Sequence, residues 1–193
     1  MMDPLREAES ALESIRLALP EVDRDSLDSL IEAIDEAPAV FLAGAGRTGL
    51  MAQAFGMRLA QMGLRVHVVG ETTTPAIGAG ELLVACSASG RKETVLATAR
   101  IARDAQARVA AITTDPASPL SEVAHWTLAI PTPAPGGAPR TGAADEPAAS
   151  PAPPLGTLLE YMLLVLFDTI VRAMMERRGI SEDAMRGRHA NLE

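Results

Sequence analysis

Cysteine is nearly missing from this sequence, which holds one, Cys86, in 193 residues. No internal disulfide and no cysteine-based metal cluster can form. Cys86 therefore reads as a reduced thiol packed at a strand end, as in a cytosolic protein. Aromatic residues are scarce too, 3% of the chain against 48% hydrophobic residues in all. The core must be built from Ala, Val, Leu, Ile and Met, a mixture that suits helices layered on a sheet better than an aromatic-rich β-sandwich. Positive charge is in deficit: 17 Lys and Arg against 25 Asp and Glu leave a net charge of −8. That balance argues against nucleic acid or an anionic membrane as the main partner. It leaves a small anion open, because one helix N-terminus and two cations can reverse the field locally. No long hydrophobic run is present either. The longest, residues 161–167, is bounded by Glu160 and Asp168 and is too short for a bilayer. Asp3, Glu7, Glu9 and Glu13 interrupt the apolar residues of the N-terminus, which excludes a signal-peptide pattern. The expectation is one cytoplasmic domain of ordinary size, spanning 1–193.

What is present is an alternating pattern. Two helical segments open the chain, at 4–19 and 25–37, and Pro38 ends the second. Short apolar strands follow at 39–43, 65–69, 81–86, 108–113 and 125–130. Helices are predicted between them at 48–62 and 93–106, and Ser118-Pro119 reads as an N-cap followed by proline at the first helical position. This alternation describes a parallel sheet covered on both faces, with the loops after the strands gathered along one edge, where ligands of open α/β sheets bind. Residues 131–154, rich in Pro, Ala and Gly, break the pattern and read as a loop or lid. A long helix is predicted at 157–177, apolar nearly all round, with Asp168 and Arg172 spaced to pair on its surface. Gly179 stops it, and a short helix at 181–188 precedes the tail.

Three loops could carry chemistry. Gly44-Ala45-Gly46-Arg47-Thr48-Gly49 matches the dinucleotide fingerprint, with Glu71 at the spacing of a ribose-binding acid; glycines that merely permit a tight strand-to-helix turn would give the same pattern. Ser87-Ala88-Ser89-Gly90-Arg91-Lys92 combines two hydroxyls, a glycine, backbone N–H groups at a helix start and two cations, the makings of an anion nest. A phosphomonoester sugar uses such a second cradle, whereas a dinucleotide does not need it. Gly70-Glu71-Thr72-Thr73-Thr74-Pro75 could offer hydroxyls to a polyol or simply form a polar turn. Glu160 has no ion partner on its own helix, and Thr157-Leu158-Leu159-Glu160 fits a capping box, in which the glutamate closes onto the first turn.

Together these segments resemble the 6-phospho-3-hexuloisomerases, a group within the sugar isomerase (SIS) fold. Gly156-Thr157 with Glu160, and Arg188-His189-Ala190-Asn191-Leu192 at the end, match its C-terminal signatures. The resemblance implies a three-layer αβα sandwich on a five-stranded parallel sheet. It implies interconversion of D-arabino-hex-3-ulose 6-phosphate and D-fructose 6-phosphate, the second step of formaldehyde fixation by the ribulose monophosphate route. It also implies no metal, no organic cofactor, and a homotetramer whose sites are completed across subunits. On this resemblance Glu160 is the catalytic base and His189 assists. Thr48, Ser87, Ser89, Gly90, Arg91 and Lys92 hold the phosphate, while Arg47, Glu71, Thr72 and Ala88 complete the substrate site. Two positions depart from the usual pattern: Lys92 stands where Thr is common, and Thr48 where Ser is common. Two rival readings remain, a non-catalytic sugar-phosphate sensor on the same fold and a nicotinamide-binding domain.

Overall fold

The computed structural model describes residues 3–131 and 157–191. The segment at 131–154, apart from Pro131, lies outside the described residues, as do Gly156 and Leu192 of the C-terminal signatures. The elements run α1 (Pro4–Ala18), a 3-10 turn (Leu19–Glu21), α2 (Arg24–Glu36), β1 (Val40–Gly44), α3 (Gly46–Gln61), β2 (Val66–Val68) and β3 (Leu82–Cys86). They continue with α4 (Glu93–Asp104), β4 (Arg108–Thr113), α5 (Pro119–Val123), β5 (Trp126–Ala129), α6 (Thr157–Arg178) and α7 (Glu182–Arg186).

β1, β3 and β4 are continuous apolar runs because both of their faces are covered. They lie at the centre of a five-stranded, wholly parallel sheet of order β2-β1-β3-β4-β5. Register sets Gly44 opposite Cys86, and Cys86 opposite Ile112, so the strands end together at one edge. One face of the sheet packs through Val40, Leu42 and Val84 onto Ile34, Phe55, Leu59 and Phe167 of α2, α3 and α6. The other packs through Phe41, Leu83 and Ala85 onto Val95, Ala99 and Leu120 of α4 and α5. This is the expected αβα sandwich.

α3 and α6 run side by side from the strand-end edge. Phe55 stacks on Phe167 with ring centroids 4.2 Å apart. A further turn down, Arg58 pairs with Asp168 at 4.0 Å. Asp168 thus finds its partner on the neighbouring helix rather than at Arg172, correcting the intrahelical pairing. α6 is also less enclosed than its composition suggests: Tyr161, Leu164 and Val165 are exposed, while Leu159, Met162, Leu163 and Leu166 are buried. Truncating Phe55 to Ala would cost roughly 3–5 kcal/mol, the usual penalty for an emptied aromatic site. Among the described residues, no helix is long and apolar enough to cross a membrane.

Candidate active site

The strand order reverses between β1 and β3, sending α3 to one face of the sheet and α4 to the other. A crevice opens at such a switch, beyond the carboxyl ends of the strands. Two glycines shape its first wall. A Cβ on Gly44 would lie 2.8 Å from the Cα of Gly49, and one on Gly49 would lie 2.7 Å from the carbonyl oxygen of Gly44. Strand and helix meet too closely there for any side chain, so packing alone accounts for Gly44 and Gly49, while Gly46, the third glycine of the fingerprint, has φ +59°.

α3 and α4 start differently from α1, α2, α5 and α7. α1, α2, α5 and α7 begin on Asp3, Asp23, Ser118 and Ser181, whose side chains accept from backbone N–H groups of the first turn. α3 begins on Ala45 and α4 on Lys92, and neither side chain caps its helix. The leading N–H groups of both have no intrahelical acceptor. They carry the positive ends of two helix dipoles, the usual footing for an anion.

The loop between β3 and α4 is held in shape by the loop that follows β4. The Ala88 carbonyl accepts from Thr113 Oγ1, Thr114 Oγ1 and the Thr114 N–H, each at 2.9 Å. The Leu120 N–H donates to the Gly90 carbonyl at 3.1 Å. Gly90 has φ +61°, and a Cβ on it would fall 2.0 Å from Ser118 Oγ, so no other residue fits. Ser87 is buried, while Ser89, Arg91 and Lys92 are exposed. Ser89 Oγ accepts from the Arg91 N–H at 3.2 Å, and Arg91 pairs with Asp115 at 3.0 Å. Beneath the loop, complete burial pushes the Cys86 thiol up to about 12, so it stays protonated and is no nucleophile.

Glu160 reaches the same crevice from α6. Its Oε2 accepts from Arg47 Nε at 2.5 Å, across 113 residues of sequence. The glutamate side chain is 11% exposed and the arginine 64%. The burial explains why the carboxylate is paired, and the arginine on the α3 first turn fixes its direction. Glu160 Oε1 meets no donor among the described residues. Glu160 is thus turned onto Arg47 of α3, whereas a capping box would turn it back onto the first turn of its own helix. Thr48 stands beside Arg47 in the first turn of α3. Glu71 and Thr72 are exposed on the rim, in a turn closed by Thr74, whose Oγ1 donates to the Val68 carbonyl. Thr74 is therefore structural.

His189 lies elsewhere. The preceding Arg188 donates to the Gln61 carbonyl at 3.3 Å, at the far end of α3. Sixteen helical residues separate that point from the crevice, about 24 Å. His189 lines a groove of about 410 Å³ with Arg58, Asp168, Arg172 and Met175. One chain does not bring His189 and Glu160 together. Sequence reasoning also missed Thr113, Thr114, Asp115 and Ser118 as braces; the turn at Asp115-Pro116 and the Ser118 cap were the available signals.

The doubly wound sandwich, with two uncapped helix starts flanking its switch point and a buried carboxylate beside them, places the chain among the open parallel α/β proteins. Within that class the chain belongs to the SIS domain family, whose model matches residues 33–142. It is 35% identical to the 3-hexulose-6-phosphate isomerase of Bacillus subtilis, covering 89% of each chain. Against the enzyme of that name from Mycobacterium gastri, identity is 38%, over 89% of this chain and 82% of the relative. A crystal structure of a Methanococcus jannaschii protein, for which a 3-hexulose-6-phosphate isomerase function was inferred, superposes with a TM-score of 0.80. It is 29% identical and covers 97% of this chain and 99% of that one.

Proposed function

We propose that this protein is an isomerase that interconverts 3-hexulose 6-phosphate and fructose 6-phosphate, as the second step of a ribulose monophosphate route. The observation that carries the reading is Glu160, buried and aimed by Arg47 beside the uncapped starts of α3 and α4. The phosphate binds the free N–H groups of those helices together with the hydroxyls of Thr48, Ser87 and Ser89 and the Ala88 N–H, while Gly90, whose own N–H donates to the Ser87 carbonyl at 3.0 Å, shapes the loop. That grip leaves C2 and C3 facing Glu160, with Glu71 and Thr72 on the rim near the sugar hydroxyls.

Glu160 takes the proton from C2. The C2–H electrons form the C2=C3 bond of an enediol, and the C3 oxygen gains a proton. The proton then returns to C3 while the C2 hydroxyl loses its own and becomes the carbonyl. The substrate is oxidised at C2 and reduced at C3, so no nicotinamide enters the balance. A second group must move protons between the two oxygens. His189 serves, supplied by a neighbouring copy in a homotetramer, because its own chain holds it at the opposite end of α3.

The test is a coupled assay that supplies 3-hexulose 6-phosphate and follows fructose 6-phosphate. Turnover in the purified protein supports the proposal. Tight binding of fructose 6-phosphate with no turnover would make the protein a sensor instead.

A further inference from the structure

Among the described residues, Arg47, Arg91 and Lys92 are the cations at the crevice, and the structure divides them. Arg47 is committed to Glu160, and Arg91 is committed to Asp115. Each pair sums to zero charge. Lys92 is exposed and has no hydrogen-bond or ion partner among the described residues. It is also the N-cap residue of α4, where its side chain makes no capping bond. Its stem leaves the backbone next to the free N–H groups of Glu93 and Thr94.

Arg91 has a second reason to stay where it is. Its bond to Asp115 belongs to the same set of contacts that ties Ala88 and Gly90 to Thr113, Thr114 and Leu120. Turning Arg91 onto a ligand would strip Asp115 of that partner and leave a carboxylate beside the incoming anion. Swinging Arg47 onto the ligand would release Glu160 from its one donor among the described residues and lose its orientation. The anion, moreover, enters a protein of net charge −8, and Glu93 in the first turn of α4 adds a local acid.

We propose that Lys92 alone supplies side-chain charge to the phosphomonoester, and that Arg91 and Arg47 are positioning residues that bind no phosphate. This rests on the sugar-phosphate reading above and assigns the side-chain charge of that site, beside its amides and hydroxyls, to one residue. A lysine acts on phosphate as a mobile point charge, so its contribution is screened by salt in a way that a hydroxyl contact is not.

The experiment measures binding of inorganic phosphate and of fructose 6-phosphate by calorimetry at several salt concentrations. Lys92→Thr should weaken both by about tenfold or more, the usual worth of a charge-assisted hydrogen bond, and should flatten the salt dependence. Lys92→Arg should restore the salt dependence. The double variant Arg91→Ala/Asp115→Ala should keep the wild-type salt dependence, because a neutral pair has been removed. The proposal is overturned if Lys92→Thr binds like wild type, or if the double variant loses the salt dependence. Failure of turnover with Lys92-dependent binding intact would sink the isomerase reading and spare this one. Wild-type protein that bound neither anion would overturn both.

Discussion

α4 and α5 leave the same edge of the sheet one strand apart, yet they begin in different ways. α5 starts on Ser118, whose Oγ accepts from the Ser121 N–H at 3.3 Å. α4 starts on Lys92 and closes none of its own leading N–H groups. The same contrast separates α2, capped by Asp23, from α3, which begins on Ala45. A side-chain cap is ordinarily worth about 1 kcal/mol. Two helices forgo it, both at the point where the strand order reverses, and their leading N–H groups are the donors we propose for the phosphate. On the proposed reading the capped helices hold the fold and the uncapped ones face the ligand.

The largest effect is expected where the crevice meets α6. Glu160→Gln should lower kcat by about a hundredfold to ten-thousandfold, the range of a lost general base, in a protein whose circular dichroism is unchanged. Near-normal turnover would detach the carboxylate from the chemistry. Ala45→Asp goes to the centre of the comparison by giving α3 the cap it lacks. It should raise thermal stability by about 1 kcal/mol, a Tm gain of roughly 2–4 °C, while raising KM for sugar phosphate more than about tenfold. A stabilised variant with unchanged KM would show that the free N–H groups serve no ligand.

Ser118→Ala removes a cap from the other class and should lower Tm by roughly 2–4 °C. Its main effect on activity should be a modest rise in KM, since Ser118 also sits against Gly90. A loss of kcat larger than the loss of stability would break the division between capped and uncapped helices. The smallest effect concerns His125, whose Nδ1 accepts from the Val109 N–H at 2.9 Å and whose Nε2 abuts Arg103. Burial first, then Arg103, lowers its pKa below the usual histidine value. The neutral ring is the one that fits, so this contribution to stability is complete above about pH 6.5 and fades as pH falls toward the depressed folded value. An NMR titration should find the low midpoint, and Arg103→Gln should raise it.

The layered fold was legible because its signals are local. Five apolar runs bounded by Gly, Pro and Asp, with helical periodicity between them, place the strands and helices to within a residue or two of where they lie. The anion loop was legible for the same reason: Ser87 to Lys92 is contiguous. What joins distant segments was hidden. Glu160 looked partnerless because Arg47 is 113 residues away, and Asp168 seemed matched to Arg172 until α3 brought Arg58 beside it. The fingerprint glycines suited both an anion-binding loop and a plain turn, and the contact between Gly44 and Gly49 supplies a reason for those two that needs no dinucleotide. The signature at Arg188-His189 could be read, but not its place at the far end of α3.

Because the donors at the starts of α3 and α4 are main-chain amides, point mutations cannot readily delete them. Almost any residue with an N–H can occupy those positions and still present it. The anchoring of the anion is therefore tolerant of sequence drift, and what drift can alter is confined to the side chains around it. On the proposed reading, exchanging Glu160 would stop turnover while the main-chain hold on the anion persists, whereas exchanging Lys92 would change how tightly and how salt-dependently that anion is held.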